Sequence, residues 1–379
     1  MGLESYREEF PVLDRKAYLI SASLGPVSRR SLAYAQEYLD AWAEMGSPEP
    51  VWFERIFPRL REVKASFGRL IGADPFELAI TTNVSLALSS IASCLDFSGE
   101  RNRVVLSRLD FPTEAHVWGA QERLGAEVVL LDSPDGLTVP VETYAEAIDE
   151  RTAVVCVNRV LYRSSALLDA GAICRLAAEA GAFSVVDDFH GAGIVPVDVH
   201  ELGCDAYTTG VLKWLCGGPG LAVLYVRSDR IASLLPAVTG WWGQRDPFGF
   251  GLDVDLHPTA RRFETGTHPA PVAFIAQGGL DIILEAGPVN IRAHQSKLTE
   301  YVIARADEAG LEVRTPRDPA ARGGVVNLGV GQDAGKIAEA LYERDVCVDS
   351  RGDGIRVAPH FFNIEPDVDR LFEGLRRLR

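Results

Sequence analysis

The chain has 379 residues, of which 47% are hydrophobic and 24% are charged, which is the composition of an ordinary globular protein. Its formal net charge of −15 argues against nucleic acid as a partner, because phosphate binding requires clustered Lys and Arg. The six cysteines lie far apart without a CxxC pair, and the first residues lack the charged and apolar regions of a signal peptide. The apolar runs are too short to cross a bilayer. The sequence therefore predicts a cytoplasmic protein that binds neither nucleic acid nor a membrane.

Six short apolar runs predict buried β-strands, because they lack the polar alternation of a half-exposed strand. They lie at 78–81, 103–107, 126–131, 153–157, 183–187 and 221–226. Helical patterns separate several of them, at 86–95, 112–124 and 169–182. This alternation predicts an α/β fold with a mostly parallel sheet between helices.

The last third of the chain has a different pattern. A long helical stretch covers 271–309, and short strand candidates follow at 311–315, 324–330, 346–349 and 355–358, with helices at 336–344 and 365–378. These elements predict a smaller C-terminal α+β unit. The segment 240–268 is rich in Gly, Pro and aromatic residues and lacks a helix or strand pattern, and a loop of this length usually has a function.

Several common catalytic motifs are missing from the sequence. There is no GxGxxG after a strand, no HExxH and no GxSxG. An NAD enzyme, a zinc hydrolase and a serine hydrolase are therefore all disfavoured.

A single lysine has an unusual context. The chain has five lysines among its 38 basic residues, and Lys213 lies in TTGVLKWLCGGPG (208–220), next to a predicted buried strand. A desolvated lysine has a lowered pKa and can form a Schiff base with an aldehyde. The alternative is a lysine whose chain extends past Trp214 to solvent. The local pattern leaves both interpretations open.

A second motif, VVDDFHGAG (185–193), follows another predicted strand. Asp187 ends that strand, and ligands of open α/β sheets collect at the carboxyl ends of strands. A carboxylate at this position can keep a pyridine nitrogen protonated, and His190 can contact the polar edge of such a ring or orient Asp187. The alternative is an aspartate that caps the next turn.

Taken together, the two motifs resemble those of the class V aminotransferase family of fold type I pyridoxal-phosphate (PLP) enzymes, which includes kynureninases, isopenicillin N epimerases and cysteine desulfurases. Further segments are similar to family motifs in the same order: YLISASLGP (18–26), TTNVS (81–85), SRLDFPTE (107–114), GWWGQ (240–244), RRFETGTHP (261–269) and GIRVAPHFFN (354–363). The resemblance implies a homodimer with shared active sites. It also implies an N-terminal segment 1–25 that contributes to the site, a large PLP-binding domain 26–270 and a small α+β domain 271–379.

The resemblance implies a role for each matching residue. Lys213, Asp187 and His190 are the expected catalytic residues, with Lys213 forming the Schiff base and moving the Cα proton. The residues expected to bind the cofactor are these three together with Val84, Ser85, Phe111, Gly266 and Thr267, the last two reaching into the neighbouring subunit. The residues expected to bind the substrate are Arg356, which clamps an α-carboxylate, and Ser23 and Trp242.

Departures from the kynureninase pattern shape the expected function. Leu212 replaces a tyrosine, Ala22 an asparagine and Gln244 a histidine, while Cys347 lies in an apolar run rather than on the mobile loop of a desulfurase. We therefore expect an enzyme that acts on an α-amino acid as an aminotransferase or as a Cα–Cβ or Cβ–heteroatom lyase. The alternatives are a kynureninase-type hydrolase, with an aromatic pocket around Trp241, and a PLP-binding protein without catalysis.

Overall fold

Apolar runs form the central sheet of the protein, whose structure is a computed structural model that describes residues 2–378. The strands are β1 (Ala17–Tyr18), β2 (Leu78–Thr81), β3 (Arg103–Ser107), β4 (Glu127–Leu131), β5 (Thr152–Asn158), β6 (Phe183–Asp187), β7 (Ala206–Gly210), β8 (Ala222–Val226), β9 (Glu312–Val313), β10 (Val326–Gly329), β11 (Val346–Cys347), β12 (Asp349–Arg351) and β13 (Gly354–Val357). The helices are α1 (Arg29–Met45), α2 (Pro48–Pro50), α3 (Phe57–Ile71), α4 (Val84–Ala92), α5 (Pro112–Gly119), α6 (Val141–Ala147), α7 (Ala170–Glu179), α8 (Val199–Leu202), α9 (Ser228–Ile231), α10 (Ala270–Ala286), α11 (Pro288–Glu308), α12 (Ala334–Tyr342) and α13 (Glu365–Leu378).

The main sheet has seven strands in the order β2-β8-β7-β6-β5-β3-β4. The five strands from β7 to β4 run parallel, whereas β8 is antiparallel to both of its neighbours, β7 and β2. All six predicted strands are confirmed, and the sheet is mostly parallel as expected. The antiparallel pair arises because a loop rather than a crossover helix joins β7 to β8. Strand β7 was not among the predicted strands, since its sequence AYTTG is not an apolar run.

A second, antiparallel sheet has the order β12-β13-β10-β9, and helices α11, α12 and α13 pack around it. Strand β1 joins this part of the chain by pairing in parallel with β11. The side chains of Ala17 and Leu19 are buried in the same apolar cluster as Val326 and Leu341. The expected C-terminal α+β arrangement is confirmed, while the domain boundaries near residues 25 and 270 stay predictions.

The stretch predicted as helical over 271–309 consists of two helices. It breaks at Gly287, which has φ +80° and is followed by Pro288, and α10 and α11 meet there at 81°. Helix α10 packs against α1 and α3, two helices that the sequence analysis did not identify. Among residues 2–378, no single helix is both long enough and apolar enough to cross a membrane. Only the bent pair of α10 and α11 meets both conditions, and only when the two helices are taken together.

Candidate active site

Lys213 lies in the loop between β7 and β8 and is buried there. Its Nζ is 2.6 Å from Nε2 of His190, and burial lowers the pKa of this amine to about 7, although the charge of Asp187 acts in the opposite direction. Trp214 is buried too, so the interpretation in which Lys213 extends past it to solvent is wrong. A buried amine with a pKa near neutrality can act as a nucleophile and as a base.

The N-terminal segment packs directly against this lysine loop. The backbone N–H of Gly25 donates to the carbonyl of Leu212 at 2.8 Å. A Cβ atom at Gly25 would lie 2.1 Å from the carbonyl oxygen of Lys213, so only glycine allows this approach. The segment predicted to contribute to the site therefore borders it.

His190 is fixed by backbone contacts and stays neutral. Its carbonyl accepts a hydrogen bond from Nε1 of Trp214 at 2.9 Å, and the carbonyl of Trp214 in turn lies 2.8 Å from Nε2 of His360. Burial lowers the pKa of His190 well below its usual value, and the nearby charge of Lys213 acts in the same direction. A neutral imidazole can therefore pair with the lysine amine.

Asp187 ends β6, beside Asn158 at the end of β5. One oxygen of Asp187 accepts the backbone N–H of Phe189 at 2.7 Å, as the turn-capping alternative predicts. The carboxylate nevertheless lies close enough to Lys213 for its charge to oppose part of the lowering of the lysine pKa by burial. Capping and a role in the site are compatible for this residue.

Two acids that the sequence analysis did not single out lie beside Asp187. Burial raises the pKa of Asp110 to about 7, and burial together with the charge of Asp187 raises the pKa of Glu114 well above its usual value. Oε1 of Glu114 accepts from Nδ2 of Asn158 at 3.0 Å, and the carboxyl group of Glu114 lies within hydrogen-bonding reach of that of Asp187. Glu114 is therefore held as a neutral acid. The signal was its place in SRLDFPTE (107–114), the segment that leads from β3 into α5.

Phe111 lies over the lysine amine. Its ring centroid is 5.7 Å from Nζ of Lys213, and its ring meets that of Tyr162 edge-on at 5.3 Å. The backbone N–H of Phe111 donates to Oδ1 of Asn158 at 2.9 Å, which fixes the residue at the start of α5. The ring is 42% exposed, so it presents free aromatic surface at the site.

Val84 and Ser85 form the first turn of α4, whose N-cap Asn83 accepts the N–H of Leu86 at 2.8 Å. The first N–H groups of a helix have no partner within it, and the helix dipole favours an anion there. The hydroxyl of Ser85 is 2.6 Å from that of Thr113, which connects this turn to the segment of Phe111.

Arg356 is buried and surrounded by acceptors. Its Nε and Nη2 donate to the two carboxylate oxygens of Asp349 at 2.9 and 2.5 Å, and Nη1 donates to the carbonyl of Tyr162 at 2.7 Å. Nη2 also donates to Oγ of Ser23 at 2.6 Å. The contact of Tyr162 with Phe111 connects Arg356 to the lysine.

Trp242, Gly266 and Thr267 lie in a separate cluster. The buried carboxylate of Glu264 lies at the centre of this cluster. It accepts hydrogen bonds from the backbone N–H of Ile80 and from Nε1 of Trp242, and it also contacts His268 and Lys64. Burial acts in the opposite direction, but the charge of Lys64 and the hydrogen bond with His268 lower the pKa of Glu264 to about 2. No hydrogen bond, ion pair or ring contact joins the cluster to Lys213 in the described part of the chain.

An aromatic cavity of about 390 Å³ borders Thr267. It is lined mainly by Trp52, Phe53, Phe57, Trp241, Trp242 and Phe248. The rings of Phe57 and Trp242 stack with centroids 4.9 Å apart. Contacts between aromatic rings therefore stabilise the long loop. Gln244 also stabilises it, because its Nε2 donates to the carbonyl of Gly240 and its Oε1 accepts the N–H of Asp255.

The model of the aminotransferase class-V family matches residues 17–366. The chain belongs to this family. It is 33% identical over 375 residues to an uncharacterized aminotransferase, YcbU, of Bacillus subtilis, with 98% of this chain and 97% of that protein covered. It is 28% identical to a kynureninase of Geobacillus thermodenitrificans (94% and 86% covered) and 29% identical to an isopenicillin N epimerase of Streptomyces clavuligerus (84% of each).

Solved structures share the fold of this class-V chain. A cysteine desulfurase of Thermococcus onnurineus superposes with a TM-score of 0.88 at 20% identity, covering 99% of this chain and 97% of that one. The cystine C–S lyase C-DES gives 0.88 at 19% identity, covering 97% and 98%. The chain therefore has the fold of type I PLP enzymes.

The cofactor of this class-V enzyme is pyridoxal phosphate, and the residues present fit it. A buried amine of lowered pKa suits an aldehyde, and a strand-end carboxylate suits a pyridine nitrogen. The exposed ring of Phe111 suits stacking on an aromatic cofactor, and the first turn of α4 suits a phosphate.

Proposed function

We propose that this PLP enzyme acts on an α-amino acid by moving the Cα proton, as an aminotransferase or as a side-chain lyase. The observation that carries the proposal is the buried Lys213, whose Nζ is 2.6 Å from a neutral His190 and has a pKa of about 7. A surface lysine, with a pKa near 10.4, would be protonated and could not serve as a base at neutral pH.

Five positions of the chain would hold the cofactor. Lys213 would bind its aldehyde carbon covalently, Asp187 would pair with the pyridine nitrogen and Phe111 would stack on the ring. Ser85 and the backbone of Val84 would bind the phosphate. The bound cofactor supplies an electron sink for the negative charge that develops when a bond to Cα breaks.

Lys213 and His190 have different roles in the proton transfer. Free Lys213 is neutral to a large extent at pH 7, so its Nζ can accept the proton from Cα and return it. His190 remains neutral because burial and the lysine charge both oppose its protonation. It therefore orients the amine by a hydrogen bond without competing for positive charge.

Arg356 gives the substrate its orientation. A guanidinium binds a carboxylate in two parallel hydrogen bonds, which fixes the direction of the groups on Cα. That direction determines which Cα bond is aligned for cleavage. Ser23 contacts the same guanidinium and belongs to the same substrate site.

Gly266, Thr267 and Trp242 support a shared site in a homodimer. They form a cluster without contact to Lys213 in their own chain, although the loop resembles one that binds the cofactor phosphate. A two-fold pair of chains would bring this cluster to the neighbouring Lys213. The aromatic cavity beside Thr267 would then receive the side chain of the substrate. The six free cysteines fit the expected reducing cytoplasm.

Two specific reactions are less well supported. Cys347 lies in β11, where it is buried and its thiol pKa is raised, so it is unsuited to be the mobile thiolate of a desulfurase. A kynureninase-type hydrolase has the aromatic cavity in its favour, but Gln244 makes hydrogen bonds within the loop at the position where kynureninases carry histidine.

A PLP-binding protein without catalysis would have no need for both Lys213 and Asp187.

The proposal is tested by incubating the holoenzyme with kynurenine and a panel of amino acids, each with and without a keto acid. We expect turnover of at least one amino acid other than kynurenine. Turnover that needs the keto acid indicates transamination, and release of a side-chain fragment without it indicates lyase chemistry. Efficient formation of anthranilate from kynurenine would contradict the expected change of substrate, and no turnover of any amino acid would contradict the proposal itself.

A further inference from the structure

The guanidinium of Arg356 is almost fully engaged before any substrate binds. Of its three nitrogens, Nε donates to Asp349, Nη1 donates to the carbonyl of Tyr162, and Nη2 has two acceptors, Oδ2 of Asp349 and Oγ of Ser23. These two acceptors are in contact with each other, so both occupy the same side of Nη2. A substrate carboxylate that binds to Nη2 on that side must therefore displace one of them.

The four acceptors are not equally easy to displace. Asp349 stands directly opposite Arg356 in the antiparallel pair β12–β13, and it takes Nε and Nη2 in a two-pronged, charge-assisted contact. The carbonyl of Tyr162 is fixed by the backbone. Ser23 offers a neutral hydroxyl from the N-terminal segment, and it also donates to Asp349. The hydroxyl is easier to displace than the carboxylate, because only the carboxylate is charged, and easier to displace than the carbonyl, because a serine side chain can turn to another rotamer.

The local charge permits an incoming anion even though Asp349 neutralises Arg356. Nη2 of Arg351 lies 3.3 Å from Oδ2 of Asp349, so this carboxylate is shared between two guanidinium groups. Two arginines and one aspartate carry a net charge of +1. One substrate carboxylate brings the group of four to neutrality, whereas an amine without a carboxylate leaves the positive charge unbalanced.

We propose that Asp349 is a positioning residue that holds Arg356 for the substrate, and that the hydroxyl of Ser23 occupies the place of one substrate carboxylate oxygen until the substrate displaces it. This inference rests on the proposed function, since it takes an amino acid as substrate. It assigns Asp349 a task that its sequence position alone does not indicate. It also makes Ser23 a displaceable partner of Arg356 rather than a direct ligand of the substrate.

The test compares L-phenylalanine with 2-phenylethylamine, which lacks only the carboxylate, by titrating each into the holoenzyme and following the absorption band of the lysine-bound cofactor. L-Alanine and ethylamine serve as a smaller matched pair. We expect Asp349→Asn to weaken binding of the amino acids about tenfold, the effect of losing one charge-assisted hydrogen bond, and to leave amine binding unchanged. Ser23→Ala frees an N–H of Arg356 and is expected to tighten amino-acid binding about threefold.

Asp353→Asn is the matched control, because Asp353 lies in the same hairpin, carries the same charge and pairs with Arg314 instead. It should bind both compounds like the parent enzyme. Equal amino-acid affinity in Asp349→Asn and Asp353→Asn would overturn the positioning role, and tighter binding in Asp349→Asn would make Asp349 a competitor of the substrate. Weaker binding in Ser23→Ala would make Ser23 a direct ligand. If the parent holoenzyme does not prefer the amino acids over the amines, the proposed function fails as well, which separates that outcome from the others.

Discussion

Asn158 and Asp187 stand side by side at the carboxyl ends of adjacent parallel strands, paired in register. From this position the amide of Asn158 makes two bonds in opposite directions, accepting the N–H of Phe111 at 2.9 Å and donating to Glu114 at 3.0 Å. One side chain thus fixes Phe111 and sets a neutral acid beside the carboxylate that would hold the cofactor nitrogen. The sheet register, rather than any single motif, builds this corner of the site.

Glu114 should tolerate an amide better than truncation. Because burial and the charge of Asp187 keep it neutral, Glu114→Gln preserves both the acceptor for Asn158 and a donor group. Glu114→Ala leaves Asn158 unpaired, which costs about 1–3 kcal/mol for a buried polar group. We expect Glu114→Gln to retain most of the turnover and Glu114→Ala to lose at least about tenfold, measured as steady-state kcat. Equal losses in the two variants would mean that Glu114 acts as a charged carboxylate.

Asp110 should make the protein less stable as the pH rises toward neutrality. Its pKa is raised to about 7 in the folded state, so an unfolded chain releases this proton at a lower pH than the folded one does. The stability from the neutral carboxyl is present below the ordinary pKa and is lost as the pH rises through about 7. In Asp110→Asn the melting temperature should fall less between pH 5 and pH 7.5 than in the parent, whereas the exposed Asp132→Asn should behave like the parent. An identical pH dependence in both variants would contradict the assignment.

Lys213 should be the single attachment point of the cofactor. Borohydride reduction of the holoenzyme, followed by peptide mapping, is expected to place the label on the peptide that contains Lys213. Lys213→Ala should give a folded protein without this label and without turnover, and the exposed Lys336→Ala should be labelled normally. Label on any other lysine would refute the assignment.

The sequence was most informative where one residue follows an apolar strand. Asp187 could be placed at the end of its strand because FSVVD lacks the polar alternation of a half-exposed strand, and the context of Lys213 raised the possibility of burial that the structure bears out. Glu114 and Asp110 were missed because their environment depends on which strands become neighbours. Asp349 was missed because its pairing with Arg356 depends on the register of a short hairpin. The pairing of strands and its register leave no signal in the residues around either position.

The loop of Thr267 should complete the site of a second subunit. A variant that combines Thr267→Ala with Gly266→Ala should bind the cofactor phosphate more weakly and lose most of its turnover. Lys213→Ala should also lose its turnover. Mixing the two inactive proteins, with exchange of subunits, is expected to restore up to about a quarter of the parent activity, because a hybrid dimer contains one intact site. Mixing each inactive protein with itself provides the control. Failure of the mixture to recover, or full activity in a monomer at assay concentration, would contradict a shared site.

The central claim is that Nζ of Lys213 moves the Cα proton of an amino acid, a step common to transamination and side-chain cleavage. It is tested most directly by incubating the holoenzyme with single amino acids in D₂O and following the loss of the α-proton signal by NMR. We expect exchange of the α-proton for at least one amino acid in the parent enzyme and in Lys336→Ala, and none above background in Lys213→Ala. Exchange at the parent rate in Lys213→Ala, or no exchange with any amino acid in the parent enzyme, would contradict it.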